Sequence, residues 1–226
     1  MRSSGRDRDE IPYVVTDMPG KDTLVTKDFV NLIALAENGA LAQKRQGSKN
    51  EGLMPDGRIY AHESLEGGLK TIGFGHKLKP GEADLFKNGI TMKQALALLV
   101  EDIELHESEA RKFIDDGGGV GTFDGLPMLE RQLITELAFN IGGPNLTPTY
   151  DKAGKYLSGY PKLRKAAISK DFEGMLKELG RGYTKPDGSF NQLTSRVDGV
   201  RAYARNKNKL RQQATAANLA VGGVQP

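Results

Sequence analysis

The architecture turns on residues 66–76, EGGLKTIGFGH. Leu69 to Phe74 reads as a short strand, and Arg58 to His62 just upstream reads as a second one. The connection between them, Glu63 to Gly68, closes on a glycine pair, which makes a β-hairpin the natural arrangement. Gly73 and Gly75 read as strand glycines that let another backbone approach, and His76 as a structural histidine. No Gly-Lys-Ser/Thr ending follows, so the string is not a phosphate loop.

Outward from this hairpin the chain is helical. Upstream, Thr26 is placed to cap a helix carrying Phe29, Val30, Leu32, Ile33 and Ala36, which stops near Asn38 and Gly39. Glu37 falls at its C-terminal end. There the negative end of the helix dipole and partial burial both disfavour a carboxylate, so its acidity is expected to weaken toward that of a general acid. Downstream, Thr91 and Gln94 form a capping box before a long helix with Met92, Ala95, Leu96, Leu99, Ile103, Ala110 and Phe113 on its apolar face. Asp116 to Gly119 ends it. A further helix opens near Pro127 and stops at Asn140 to Pro144; shorter ones are expected around 149–158, 161–169 and 171–179, and a last from about 194 to 212. The expected organisation is an N-terminal arm over 1–22, a folded domain over 23–212 and a C-terminal tail over 213–226. The fold class is α+β, mainly α.

The chain has 226 residues, with 32 Lys and Arg against 29 Asp and Glu, a net charge of +3, and 38% hydrophobic residues. Mean hydropathy is −0.48. This suits a globular chain able to bury its own core. With no cysteine, disulfides, thiolate zinc sites and a cysteine nucleophile are excluded. No apolar run approaches the roughly 20 residues needed to span a bilayer, and the first 22 residues lack the apolar core of a secretory signal. Neither membrane insertion nor a signal peptide is expected. Basic residues gather between Lys152 and Arg211, which suits nucleic acid or the anionic bacterial envelope. The absence of Trp and the scatter of Phe and Tyr remove the stacking platform of single-strand binders and argue against nucleic acid. His62, His76 and His106 raise the alternative of a zinc amidase. However, His106 lies mid-helix among glutamates and no HExxH spacing joins the three, so no metal or organic cofactor is expected.

Glu37 near a helix end, Tyr60, and TIGFGH at 71–76 together resemble the phage-type lysozymes, glycoside hydrolase family 24. The resemblance continues in LITELAFNIG at 133–142 and in Leu193-Thr194-Ser195-Arg196, so that it covers about 29–205 in the family's order. It implies a lysozyme-like fold, a small lobe of helix and β-hairpin and a larger helical lobe flanking a cleft. The implied activity is that of a muramidase, cutting the β-1,4 bond between N-acetylmuramic acid and N-acetylglucosamine in bacterial peptidoglycan. By the same resemblance Glu37 is the general acid, Thr71 positions the attacking water, and Arg196 pairs with the acid. Tyr60 and Asn140 fall among substrate-binding or acid-supporting positions, with His76 and Asn140 as ties for the hairpin and the helix turn.

One departure concerns the second catalytic group. The family usually carries an Asp six residues before the Thr, and Leu65 stands there. Counting from Tyr60 instead places His62 at that position, with Glu66 and Glu63 nearby. An inverting hydrolase separates acid and base by roughly 6.5–9.5 Å to admit water. His62, with an ordinary pKa of about 6.5, is favoured over Glu66 as the base because Arg58, Tyr60 and His62 share a strand face. Glu66 could instead stabilise an oxocarbenium-like state. If neither serves, Glu37 acts alone, as in lytic transglycosylases. The linker between Glu37 and Tyr60 is longer than in compact family members; its polar, basic content, Gln43 to Asn50, either lines the cleft and meets anionic glycan or is a surface insertion, the reading that loops favour. The arms also fit a virion structural protein on a lysozyme fold, or an active enzyme bound to other virion proteins through them. The expected location is the host cytoplasm before release to the wall, or the particle itself.

Overall fold

The computed structural model describes residues 23–42, 53–63, 70–184 and 190–222. Two compact units divide the chain, Met1–Leu105 and His106–Pro226. The arm 1–22, the whole Gln43 to Asn50 insertion, Leu65 and Glu66, and the end of the tail, 223–226, lie outside the described residues.

In the first unit, helix α1 (Lys27–Glu37) begins where Thr26 accepts a hydrogen bond from Phe29 N, as its N-cap role requires. Phe29, Val30, Ile33 and Ala34 are its buried face; Ala34 replaces the expected Ala36, which is exposed. A single turn, α2 (Gly39–Ala42), follows. Strands β1 (His62–Glu63), β2 (Lys70–Ile72) and β3 (His76–Lys77) form an antiparallel sheet in that order. The expected hairpin is therefore three-stranded. Its second turn is Gly73 to Gly75, and both glycines sit at positive φ, +66° and +91°, conformations that reverse the chain and cannot continue a strand. The Arg58 to Tyr60 segment adds only a bridge, Ile59 to Ile90, with both N–H···O distances 2.8 Å. The short helix α3 (Glu82–Leu85) leads to α4 (Met92–Gly118), within which the division between the units falls. The capping box forms: Thr91 N donates to Gln94 Oε1 at 2.9 Å and Gln94 N to Thr91 Oγ1 at 3.3 Å.

The second unit is built on α5 (Met128–Ile141), which is buried on nearly every side, polar residues included. After α6 (Gly143–Leu146) come the hairpin β4 (Thr149–Tyr150) and β5 (Tyr156–Ser158), helices α7 (Pro161–Ile168) and α8 (Phe172–Glu178), the pair β6 (Gly182–Thr184) and β7 (Phe190–Gln192), and α9 (Thr194–Gly222). Leu133, Ile134, Leu137, Leu163, Met175, Val197 and Val200 are among its core residues. Two expectations change. Residues 149–158 form a hairpin and not a helix, because the Asp151 carboxylate accepts from Ala153 N and Lys155 N, closing a tight turn between β-prone Thr149-Tyr150 and Tyr156-Leu157. The last helix continues to Gly222, through alanines that favour helix, instead of ending at 212. No helix among the described residues is long and apolar enough to cross a membrane.

Candidate active site

Glu37 is the last residue of α1, half-buried, and is followed by a residue that anchors the chain on both sides. Asn38 N donates to Ala34 O at 3.0 Å, while its side-chain oxygen accepts from Leu41 N at 3.0 Å. The helix therefore stops at a fixed point. From there the Glu37 side chain reaches the second turn of the sheet. A Cβ built on Gly75 would stand 3.1 Å from Glu37 Oε2 and 3.7 Å from its Cδ. Glycine at 75 is thus required twice, by its φ and by the carboxyl group lying against it. The same turn is fixed from another side by α4, since a Cβ on Gly73 would meet Ala95 Cβ at 3.2 Å.

Thr71 is buried in the central strand, directly opposite His62 on β1 and Lys77 on β3. Its Oγ1 is 3.5 Å from His62 Nδ1, at the outer limit of a hydrogen bond. His62 Nδ1 also lies 3.1 Å from Glu63 O. A carbonyl oxygen can only accept, so the Nδ1–H tautomer makes this contact and the lone pair is on Nε2. Thr71 Oγ1 then accepts from the same N–H and keeps its own proton for another partner. The structure thus joins His62 and Thr71 on one sheet and seats Glu37 against that sheet's turn. Glu63 is drawn to Lys70, at 3.5 Å on the exposed face.

Tyr60 precedes β1 and its hydroxyl donates to Asp56 Oδ2 at 2.7 Å. That bond and the Arg58 N–H hold Asp56 below the usual carboxylate range, and Asp56 in turn raises the Tyr60 hydroxyl above the phenol's. His76 ties β3 to α4: its Nδ1 is 3.0 Å from both Asp102 carboxylate oxygens, and Nε2 is 3.6 Å from Glu82 Oε2. Glu82 is held below its ordinary value, first by Lys79 N donating to it at 2.7 Å and then by the facing His76 ring and the Lys79 charge.

Arg196 and Asn140 belong to the second unit. Arg196, on α9, donates through Nε to Glu136 Oε1 at 3.0 Å, and Arg181 donates through Nη2 to the same oxygen at 2.6 Å. Glu136 and Arg181 side chains are 0% and 1% exposed. Burial, more than any neighbour, pulls the Arg181 guanidinium below its ordinary value, while Glu136 pulls it back up. Asn140 lies in the last turn of α5 with its Oδ1 buried. His106, the third histidine, is 2.6 Å from Glu109, whose carboxylate also accepts from Gly143 N. Among the described residues no three His, Asp or Glu converge to hold a metal ion.

Three residues of these networks escape a reading of the sequence. Asp102 is one acid within the Glu101 to Glu109 stretch, and only its register on α4 singles it out. Asn38 reads as a helix stop, not as the anchor beside Glu37. Glu136 is the most legible, a carboxylate in the midst of an apolar helix that demands a buried cation.

The fold is similar to that of the active form of P1 phage endolysin Lyz, whose crystal structure superposes with a TM-score of 0.54 at 19% identity, covering 82% of this chain and 86% of that one. The secreted inactive form of the same endolysin gives 0.36 at 20% identity, covering 53% and 72%. No family model and no curated protein sequence matches the chain. The α+β lysozyme-like class expected from the sequence is therefore the observed one, and at this identity the likeness speaks to the fold alone.

Proposed function

We propose that the chain is a peptidoglycan-cleaving glycosidase, a muramidase of the phage lysozyme kind, in which Glu37 protonates the leaving glycosidic oxygen. The observation that carries this reading is the Glu37 carboxyl group lying 3.1 Å from the Cβ position of Gly75, on the turn of the sheet that presents Thr71 and His62. A protonated Glu37 supplies the acid. Water held by the Thr71 hydroxyl, with His62 Nε2 to take its proton, supplies an inverting attack. Tyr60, in the same unit as Glu37, is proposed to border the sugars. Wall cleavage of this kind serves host lysis or penetration of the wall by an incoming particle.

Glu37→Gln is expected to lose at least about 10²-fold of the lytic rate on outer-membrane-permeabilised cells while melting like the parent. Lysis at the parent rate would remove Glu37 from the chemistry. His62→Ala and Glu66→Gln belong in the same assay: the variant that keeps full rate is not the base. If neither His62 nor Glu66 serves as the base, Glu37 acts alone in a second chemistry, transglycosylation, in which the substrate's own 6-hydroxyl attacks. Mass spectrometry of released muropeptides separates the two, since hydrolysis leaves reducing ends and transglycosylation leaves anhydro ends.

A further inference from the structure

The β4–β5 hairpin has no place in the chemistry above, yet it concentrates the features of a ligand surface. Tyr150 and Leu157 are 55% and 60% exposed, and Tyr156 and Ile168 are exposed beside them. The two tyrosine rings meet edge to face with centroids 6.2 Å apart. Exposed apolar side chains gathered in one patch, unlike those scattered singly, mark binding surfaces.

The hairpin is also rigidly founded. Its turn is closed by Asp151, Thr149 Oγ1 and Ser158 Oγ lie 2.6 Å apart, and Tyr156 O–H donates to Gly159 O at 2.6 Å. Gly159, at φ +99°, lets its backbone press on Thr147 and Pro148, where a Cβ would fall 2.5 Å from a carbonyl oxygen. The rings are thus held in place.

Charge gives the occupant its sign. Between Pro148 and Lys170 stand Lys152, Lys155, Lys162, Arg164, Lys165 and Lys170 against Asp151 alone, a local net charge of 6 minus 1, or +5, in a chain whose total is +3. Asp151 spends its carboxylate on backbone N–H groups. Beneath the hairpin is a cavity of about 450 Å³, lined by Pro148, Tyr150, Pro161, Arg164, Lys165 and Ile168 among others. That size is in the range of small-ligand sites. The Arg164 guanidinium stacks on Phe113 at 4.6 Å, and its Nε and Nη2 are buried with no hydrogen-bond partner. Among the described residues no carboxylate pairs with it, so its charge stands uncompensated at the cavity wall.

We infer that this hairpin and cavity form a second peptidoglycan-binding surface on the His106–Pro226 unit, one that grips the wall without cutting it. The tyrosine rings offer faces to sugar rings, and the cations take the carboxylates of stem peptides. The inference rests on the proposed peptidoglycan substrate. A lipid bilayer would satisfy the charge but would make no use of the paired tyrosine rings beside an open groove.

The test uses purified sacculi and the full-length Glu37→Gln protein, which binds without cutting. Tyr150→Ala with Tyr156→Ala, and separately Lys152→Glu with Lys155→Glu, are each expected to weaken cosedimentation with sacculi at least tenfold; both lysines are exposed, so their change spares the fold. In the Glu37 parent, both double variants are expected to turn over glycan strands stripped of their stem peptides within twofold of the parent rate. Unchanged sacculus binding overturns the inference. So does a matching fall in turnover of stripped strands, which would make the hairpin part of the cutting site. Phosphatidylglycerol vesicles that bind the parent, and lose it on the same substitutions, would make the partner a membrane and overturn it too. Should Glu37→Gln still lyse cells, the acid assignment falls while the binding comparison is still read on its own.

Discussion

Two glycines isolate what the Glu37 contact is worth. Gly57 and Gly75 both hold positive φ, +77° and +91°, but a Cβ on Gly57 meets nothing within 4 Å whereas one on Gly75 meets the Glu37 carboxyl group. Left-handed backbone costs an L-residue about 1–2 kcal/mol. Gly57→Ala is therefore expected to lose about that much stability in urea melts and no lytic activity. Gly75→Ala should pay the same conformational cost and also push the Glu37 carboxyl off the turn, reducing lysis at least about tenfold, since small displacements of a catalytic group are amplified in rate. Equal lytic rates for the two variants would show that the carboxyl position does not matter. The same residues show what a sequence can and cannot disclose at this scale. Glycine at 75 was legible as a place of close approach. That the approaching group is a carboxylate and not a backbone depends on where α1 ends, which Asn38 fixes through two hydrogen bonds that no periodicity encodes.

At the scale of elements, α5 is held among its neighbours by ions as well as by apolar packing. Glu136 gives one oxygen to both Arg181 and Arg196, and its other oxygen, Oε2, is buried with no hydrogen-bond partner. Removing one member of a buried ionic group leaves charge stranded in low dielectric, which typically costs about 3–5 kcal/mol. Glu136→Gln is expected to fall in that range by denaturant titration, whereas Glu136→Leu together with Arg181→Leu should recover part of the loss. The surface pair behaves differently. Arg111 holds the Asp124 carboxyl below its ordinary range, first by hydrogen bonding and then by charge, with Arg131 adding to it. Because the folded value is the lower one, the pair stabilises the native state above the unfolded carboxylate's pKa and loses that contribution as pH falls through the folded one. Both side chains are substantially exposed, so Asp124→Asn should cost less than about 1 kcal/mol at neutral pH. The difference should vanish in acid. Elements also mark where local reading fails. Over 149–158 a helix was expected, and the Asp151 turn won because its side chain satisfies backbone N–H groups that a helix would have left to carbonyls.

For the whole molecule, the helical periods and the capping box at Thr91 were legible because each depends on short-range spacing, whereas Glu37, Thr71 and His62 were singled out together only through the family resemblance. The third strand, the role of Asp102 and the Glu136 ion group were not legible, because each depends on which distant segments meet. The chain's division into two compact units gives the last prediction its form. Each unit has a core of its own, Phe29, Ile33, Ile72 and Leu99 in the first and Leu133, Leu137, Leu163 and Val200 in the second. Stability is not uniform when separate cores coexist, and hydrogen exchange reports the opening of each separately. Loss of the Glu136 carboxylate strikes the second core directly. In Glu136→Gln, amides of α5 and of the first turns of α9 should therefore exchange at least about tenfold faster, a change of about 1.4 kcal/mol in local opening by the same thermodynamic measure. Amides of β2, whose N–H groups are bonded within the first unit's sheet, should change less. Equal acceleration in β2 and α5 would mean that the two units open as one, and that a defect set in the second is felt in full beside Glu37.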